Sequence, residues 1–337
     1  MTTPTMPPLG PEQVLRAARY LDGIVVRTPV LRCPSLDRLA GCRVWLKAES
    51  LQLSGSYKIR GALFSVHRAL AAGARGVLAQ STGNHGIAVA TAAARHGLTA
   101  TIVLPSNAPE AKISKVRAAG GEVVLVGASL DDRCHLVNEL HERTGHVVLD
   151  AFDHPDVIAG QGTATVELLD QVHQLGGSLG AVVIPVGGGG GVAGACLAAQ
   201  SSGVAVYAVE PAGCDSMATS LAVGARTAVP PRATIADGLT PTLVGELPFR
   251  VARDHHVTGL TVSEDEITTA VRLALTQARL VVEPSAAAAL AGALRLARRG
   301  GYTDIGAMLT GSNVATDLLC RLLSQPSTAG SEIQDDR

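Results

Sequence analysis

Short apolar runs alternate with longer segments of helical periodicity along the first half of the chain. The runs predict β-strands over Gly76–Gln80, Ala100–Leu104 and Glu122–Val126. The intervening segments predict α-helices over Gly86–His96, Pro109–Ala119 and Leu130–Thr144. Strands that alternate with helices are typical of a parallel sheet. We therefore expect a small, mobile parallel-sheet domain over residues 75–152.

A second series of the same kind follows. Apolar runs predict strands at Ala181–Val186, Ala205–Val209 and Ile305–Leu309, with helical segments between them. These segments and the N-terminal part lie on either side of 75–152. We therefore expect a discontinuous larger domain, formed by 1–74 plus 153–325, and a disordered polar tail over 326–337. The cleft between two such α/β domains is a common ligand site.

The segment Ser54–Ala62 contains the most informative side chain, that of Lys58. A lysine condenses with an aldehyde when its amine is partly deprotonated, and burial favours the neutral amine. Small residues, Tyr57 and Ile59 surround this lysine, which suits a closed pocket better than an exposed helix face. The sequence therefore suggests a lysine that binds an aldehyde.

A glycine-rich loop, Gly187–Gly191, follows the strand at Ala181–Val186 and precedes a helical segment. Consecutive glycines allow backbone amides to surround an anion, and a helix N-terminus behind them favours a phosphate. The same stretch also satisfies the dinucleotide pattern G-x-G-x-x-G over Gly189–Gly194, with Glu210 near the end of the next strand. An NAD-dependent dehydrogenase is therefore an alternative of a different class.

Two further loops rich in glycine and hydroxyl groups are Ser81–Gly86 and Thr310–Asn313. In this order, the four segments resemble those of the fold-type II pyridoxal-phosphate enzymes. The resemblance extends from about Pro29 to Asn313, and it is greatest to the serine/threonine dehydratases and serine racemases. It implies a tryptophan-synthase-β-like α/β architecture of two parallel-sheet domains, with pyridoxal 5'-phosphate in the interdomain cleft.

The resemblance also implies roles for individual residues. Lys58 would bind the cofactor aldehyde and act as the catalytic base, and Glu283 would lie near the cofactor ring. The other expected cofactor-binding residues are Asn84, Gly187, Gly188, Gly189, Gly190 and Thr310. The expected substrate-binding residues are Ser81, Thr82, Gly83, His85 and Arg133. Thr82 would also be the catalytic hydroxyl on the face opposite Lys58, where a racemase needs an acid–base group.

Thr310 would contact the pyridine nitrogen through a hydroxyl. Such a contact gives the nitrogen less positive charge than an aspartate would, and this favours β-elimination. Ser312 replaces the second glycine usual in this motif, and its side chain restricts positive φ there.

The related racemases bind a divalent cation at positions that correspond here to Glu210, Cys214 and Ser216. A serine at the last position removes an anionic oxygen ligand, so we expect no metal.

Charge and cysteine content narrow the class further. The 337 residues include 28 basic and 29 acidic side chains, without a basic patch. We therefore expect neither nucleic-acid nor membrane binding. Six cysteines without paired spacing, and an N-terminus without a signal-peptide pattern, favour a cytoplasmic protein. The resemblance implies a homodimer that acts on a small amino acid.

The expected reaction is β-elimination of L-threonine or L-serine to a 2-keto acid and ammonia. Serine racemisation and dehydration of hydroxyaspartate or of a hydroxyectoine-pathway compound remain alternatives, as does a ligand-binding homologue without catalytic activity.

Overall fold

The computed structural model describes residues 9–81, 83–108, 110–127, 130–230 and 232–324. The strands of this part of the chain are β1 (Val30–Arg32), β2 (Arg43–Lys47), β3 (Gly76–Gln80), β4 (Thr99–Pro105), β5 (Glu122–Val126), β6 (Val147–Val148), β7 (Ala181–Pro185), β8 (Ala205–Pro211), β9 (Thr258–Val262) and β10 (Asp304–Met308). The α-helices are α1 (Pro11–Leu21), α2 (Pro34–Ala40), α3 (Lys58–Ala71), α4 (Asn84–Arg95), α5 (Glu110–Ala118), α6 (Leu130–Thr144), α7 (Pro155–Gln174), α8 (Gly190–Ala199), α9 (Ser216–Val223), α10 (Glu246–Asp254), α11 (Glu264–Thr276), α12 (Pro284–Arg298) and α13 (Thr316–Ser324).

The strands form two sheets. A four-stranded sheet has the order β5-β4-β3-β6, and all its pairings are parallel. A six-stranded sheet has the order β1-β2-β10-β7-β8-β9, and it is parallel except where β1 pairs with β2. The expected α/β architecture with two parallel sheets is therefore confirmed. The antiparallel edge strand β1 was not predicted.

The strands of the smaller sheet lie between residues 76 and 148, and those of the larger sheet come from both sides of that segment. This division agrees with the predicted boundaries at 75 and 152, which remain a prediction. Pro109 and the tail from 325 onward lie outside the described residues. No helix in the described parts of the chain is long and apolar enough to cross a membrane.

Glycine residues allow the helices α3, α7 and α8 to approach one another closely. A Cβ atom on Gly160 of α7 would lie 2.5 Å from the carbonyl oxygen of Arg60 on α3. A Cβ atom on Gly162 would lie 2.7 Å from the carbonyl oxygen of Gly194 on α8. The main core cluster is built mostly of Ala, Val, Leu and Ile side chains. Close backbone packing thus brings α3, α7 and α8 together behind the loops that follow the strands.

Candidate active site

Lys58 is the first residue of α3, and its amine points toward the segment that precedes α7. Its Nζ donates a hydrogen bond to the carbonyl oxygen of Ala151 at 2.8 Å. The side chain is half-buried, and burial lowers the pKa of Lys58 to about 8, although the charge of Asp150 opposes this shift. An appreciable share of the amine is therefore neutral near physiological pH.

The loop after β10 is joined to the loop that carries the lysine. The amide of Tyr57 donates a hydrogen bond to the carbonyl oxygen of Thr310 at 2.9 Å. The amide of Ser312 donates one to the carbonyl oxygen of Gly55, also at 2.9 Å. Thr310 is only 6% exposed, and no hydrogen bond between described residues involves its hydroxyl. A largely buried residue with an available hydroxyl beside the lysine fits the role expected for Thr310 at the cofactor ring.

The serine that replaces the usual glycine is accommodated without strain. Among the described residues other than glycine, φ is positive at Ser54, His256 and Arg279, and Ser312 is not in that group. The Ser312 hydroxyl donates to the carbonyl oxygen of Ser50 at 2.8 Å. The side chain at this position therefore helps to hold the loop in place.

The glycine-rich loop leads into the N-terminus of α8. Gly189 has a φ of 92°, which favours glycine. A Cβ atom on Gly188 would overlap the ring of Phe152, and one on Gly187 would lie 2.7 Å from the carbonyl oxygen of Gly238. Outside helices and strands, no backbone hydrogen bond between described residues uses the amide of Gly187, Gly188 or Gly189 as donor.

Free amides at a helix N-terminus form an anion-binding site. Together with the amine of Lys58 and the hydroxyl of Thr310, the loop therefore fits a cofactor that has an aldehyde, a phosphate and a ring nitrogen.

Asn84, at the start of α4, follows a strand of the smaller sheet. It is held by two residues from the part of the chain that forms the larger sheet. Its Nδ2 donates to Oε1 of Glu283 at 2.7 Å, and its Oδ1 accepts from Nδ2 of Asn313 at 2.8 Å. Burial raises the pKa of Glu283 to about 7, and the charge of Asp237 adds to this increase. Asn84 therefore lies between the two sheets, where the resemblance places the 3′-oxygen of the cofactor.

The expected substrate-binding residues lie around the carboxyl end of β3. The amide of Gly83 donates to the Ser81 hydroxyl at 3.2 Å. The Nε of Arg133 donates to Oε1 of Gln80 at 3.4 Å, which places Arg133 beside the same loop. Thr82 lies outside the described residues. Its expected role is therefore still a prediction.

His85 is almost completely buried. Its Nε2 lies 2.9 Å from the carbonyl oxygen of Leu149 and must carry the proton, because a carbonyl only accepts. Burial lowers the pKa of His85 to about 4, and the charge of Lys58 contributes. The ring is therefore neutral, and its Nδ1 is a buried acceptor without a partner among the described residues.

Two of the three positions that correspond to the racemase cation site, Glu210 and Ser216, have other contacts here. Both carboxylate oxygens of Glu210 accept backbone hydrogen bonds at the start of α9, from the amides of Met217 and Ala218 at 2.9 Å each. Ser216 donates through its hydroxyl to the carbonyl oxygen of Pro241. In the described parts of the chain, no group of three or more His, Cys, Asp or Glu side chains is arranged to hold a metal ion.

Sequence reasoning missed several groups at this site. The carbonyl of Ala151 binds the lysine, and Phe152 lies against the glycine-rich loop. A backbone carbonyl has no sequence signature, so Ala151 offered none. Gln161 of α7 was not singled out either, yet a Cβ atom on Gly190 would lie 3.0 Å from its Oε1.

Known proteins resemble this chain over nearly its whole length. The model of a family described as pyridoxal-phosphate dependent enzyme matches residues 21–311. An L-threo-3-hydroxyaspartate ammonia-lyase from a Pseudomonas species is 36% identical over 313 residues, which cover 92% of this chain and 97% of that protein.

Two solved structures have similar folds. A threonine deaminase from T.th. is 40% identical with a TM-score of 0.85, and the match covers 90% of this chain and 98% of that one. Maize serine racemase is 33% identical with a TM-score of 0.87, and the match covers 93% of this chain and 96% of that one.

Proposed function

Because the chain belongs to the pyridoxal-phosphate-dependent enzymes, we propose that it is a lyase acting on a small β-hydroxy amino acid such as L-threonine or L-serine. The reaction is β-elimination, and its products are a 2-keto acid and ammonia. The observation that carries this proposal is the lowered pKa of the Lys58 amine, beside the largely buried Thr310 and a loop of free amides. Family membership also favours a phosphate over a dinucleotide as the ligand of that loop.

In the proposed reaction, pyridoxal phosphate withdraws electrons from the substrate Cα and so favours loss of the α-proton and the β-hydroxyl. The amides of Gly187–Gly190 would hold its phosphate, the Thr310 hydroxyl would lie at its ring nitrogen, and Asn84 would lie at its 3′-oxygen. Lys58 would hold the cofactor through its aldehyde. Toward the substrate, the neutral Nζ of Lys58 would be the base that accepts the α-proton. Ser81, Gly83, His85 and Arg133 bind and orient the substrate.

The first test uses the fact that the chain has only four lysines, at positions 47, 58, 112 and 115. With cofactor and borohydride, the wild type should gain a pyridoxyl mass on the peptide that contains Lys58. Lys58→Ala should lose this label and the keto-acid activity. Lys115→Ala, which changes an exposed lysine of α5, is the matched control and should keep both. Labelling of another lysine, or none, would contradict the proposal.

Substrate choice needs a direct comparison, because relatives differ. The similar Pseudomonas protein acts on L-threo-3-hydroxyaspartate, and the T.th. protein is a threonine deaminase. Keto-acid release from L-threonine, L-serine and L-threo-3-hydroxyaspartate should therefore be measured side by side. We expect L-threonine or L-serine to have the highest kcat/KM. A preference for hydroxyaspartate would overturn that ranking while leaving the reaction class unchanged.

Serine racemisation is the second candidate, favoured by the likeness to maize serine racemase. Racemisation needs an acid–base group on each face of the substrate, whereas elimination needs Lys58 alone. We expect D-serine to form more slowly than pyruvate, as measured by chiral chromatography. Thr82→Ala should abolish any D-serine formation and leave L-serine dehydration within about tenfold, the effect of one orienting hydrogen bond.

We further propose a cytoplasmic homodimer that works without a divalent cation. The support for metal independence is that both Glu210 oxygens already accept backbone hydrogen bonds. Activity should survive a chelator, and restoration by Mg²⁺ after chelation would contradict this expectation. Light scattering on the purified protein tests the dimer.

A further inference from the structure

Arg60 lies two residues after Lys58, and the proposed chemistry does not use it. Its side chain is completely buried. The Nε and Nη2 atoms donate to the two oxygens of Glu49 at 2.7 and 2.8 Å. The Nη1 and Nη2 atoms donate to the two oxygens of Glu167 at 2.7 and 2.8 Å. The guanidinium therefore makes two bidentate pairs, a geometry that lysine cannot reproduce.

A second buried cation shares one of these carboxylates. The Nζ of Lys47 donates to Glu167 at 2.7 Å, to Gln171 at 2.8 Å and to the carbonyl oxygen of Thr28 at 2.8 Å. We call Lys47, Glu49, Arg60 and Glu167 the charge cluster. Its two positive and two negative charges balance. Buried ion pairs usually contribute little net stability, because desolvation offsets their attraction. The role of the charge cluster is therefore better inferred from its geometry than from its contribution to the free energy of folding.

The charge cluster ties the first turn of α3 to α7. Glu167 belongs to α7, and Ala151, which accepts the hydrogen bond from Lys58, lies just before that helix. The two helices meet through glycine backbone: a Cβ atom on Gly61 would lie 2.8 Å from the carbonyl oxygen of Val157. Such a contact sets the distance between the helices. Apolar side chains add to this contact, since Phe64 of α3 shares a buried cluster with Ile158 and Ala159 of α7. Apolar contacts are non-directional, so the paired hydrogen bonds of Arg60 supply the directional restraint on rotation of α3 about its own axis.

Rotation of α3 would displace the lysine. Successive residues on an α-helix are about 100° apart, so Lys58 and Arg60 project about 160° apart. Any rotation that moves Lys58 away from Ala151 must also move Arg60. The two carboxylates that hold Arg60 come from separate elements, α7 and the turn after β2. Arg60 is thus anchored on the side of α3 opposite the amine.

We propose that Arg60 is a positioning residue for Lys58: its paired contacts with Glu49 and Glu167 fix the rotation of α3 and hold the amine at the place where the cofactor aldehyde binds. This inference rests on the proposed cofactor-binding role of Lys58.

The test compares Arg60→Lys with Lys47→Met. Arg60→Lys keeps the charge but cannot span both carboxylates, whereas Lys47→Met removes the other cation from Glu167 without changing α3. The readouts are the cofactor dissociation constant and the borohydride label on the Lys58 peptide at a fixed, subsaturating cofactor concentration. We expect Arg60→Lys to weaken cofactor binding by on the order of tenfold or more, with matching loss of label. Lys47→Met should stay within about twofold of the wild type.

The outcomes separate two kinds of failure. If the wild type shows no label on Lys58, the proposed function itself fails. If the wild type is labelled and both variants retain label and affinity, or both lose them equally, Arg60 has no specific positioning role. Should Arg60→Lys not fold, Glu49→Gln replaces it, because Glu49 contacts Arg60 and Thr28 but not Lys47. The same loss is then expected, and wild-type behaviour would overturn the inference.

Discussion

The rate at which the cofactor attaches to Lys58 should depend on pH in a way that an ordinary lysine does not. Only the neutral amine attacks an aldehyde. Burial lowers the Lys58 pKa from its usual 10.5 to about 8. At pH 7 about one amine in ten is then neutral, against roughly one in three thousand for an unperturbed lysine. Attachment should be about three-hundredfold faster than to an ordinary lysine at this pH.

The expected dependence of the attachment rate on pH follows from the lowered pKa of Lys58. The rate should rise about tenfold per pH unit below pH 8 and level off above it, whereas an ordinary lysine continues to rise beyond pH 10. Asp150→Asn sharpens the test. The Asp150 carboxylate opposes the shift, and its Oδ1 accepts from the amides of Phe152 and Asp153, which an asparagine oxygen can also do. The variant should level off at a lower pH, by up to about one unit.

The assay is stopped-flow absorbance of apoprotein mixed with pyridoxal phosphate between pH 6 and 10.5. A small lysine derivative, mixed with the same cofactor, corrects for titration of the cofactor itself. A corrected rate that still climbs above pH 9.5 would refute the claim that burial lowers the pKa of this amine. An unchanged midpoint in Asp150→Asn would show that the carboxylate does not act on it.

Three further results are expected. Gly160→Ala should lower the free energy of unfolding by about 1–3 kcal/mol, because its methyl group would press on the backbone of Arg60. Urea titration measures this change, and no loss of stability would show that α3 and α7 can move apart to accommodate the methyl group. The Lys112–Asp237 ion pair is partly exposed, so Lys112→Ala should change global stability by less than about 1 kcal/mol, yet increase hydrogen exchange in α5. The pKa of Glu283 is raised to about 7 in the folded protein, so the folded state binds this proton more tightly than the unfolded chain does. The resulting stabilisation is complete below about pH 4.5 and is lost as the pH rises through 7. Glu283→Gln should therefore differ from the wild type by an amount that changes over this range, and a constant difference would contradict the raised pKa.

Most strands were predictable because their signal is local. The predicted bounds of β3 and β5 agree with the structure, and those of β4, β7, β8 and β10 differ by one or two residues. Strand β2 was not recognised, and the reason is physical. Its five residues begin with Arg43 and end with Lys47, so charged side chains at both ends leave only three apolar residues between them. Lys47 is nevertheless completely buried, because Glu167 neutralises it from 120 positions away. Such a strand cannot be recognised from its own pattern.

Residue type drew attention to the segments of the candidate site, because a lysine, a glycine loop and hydroxyl groups each suit part of an aldehyde cofactor. The resemblance then assigned roles to Lys58, Gly187–Gly190 and Thr310, and these roles stay predictions. The contact between Asn84 and Glu283 depends on how the two sheets face each other, which no local pattern records. Glu210 is a further case, since an acidic residue at the end of β8 suggested a ribose or a cation. Its oxygens instead cap the start of α9.

The dinucleotide pattern in the glycine-rich loop shows why spacing alone cannot name a ligand. Each of its three glycines has a local reason in this fold. Gly189 has a positive φ; a Cβ atom on Gly191 would lie 2.7 Å from the hydroxyl of Tyr57; and one on Gly194 would lie 2.6 Å from the amide of Gly162. A sharp turn, a neighbouring side chain and close helix packing thus produce G-x-G-x-x-G without a dinucleotide. The pattern identifies a strand, a tight turn and a helix N-terminus that suits a phosphate. What the phosphate belongs to is determined by residues elsewhere, and here Lys58 and Thr310 favour an aldehyde cofactor.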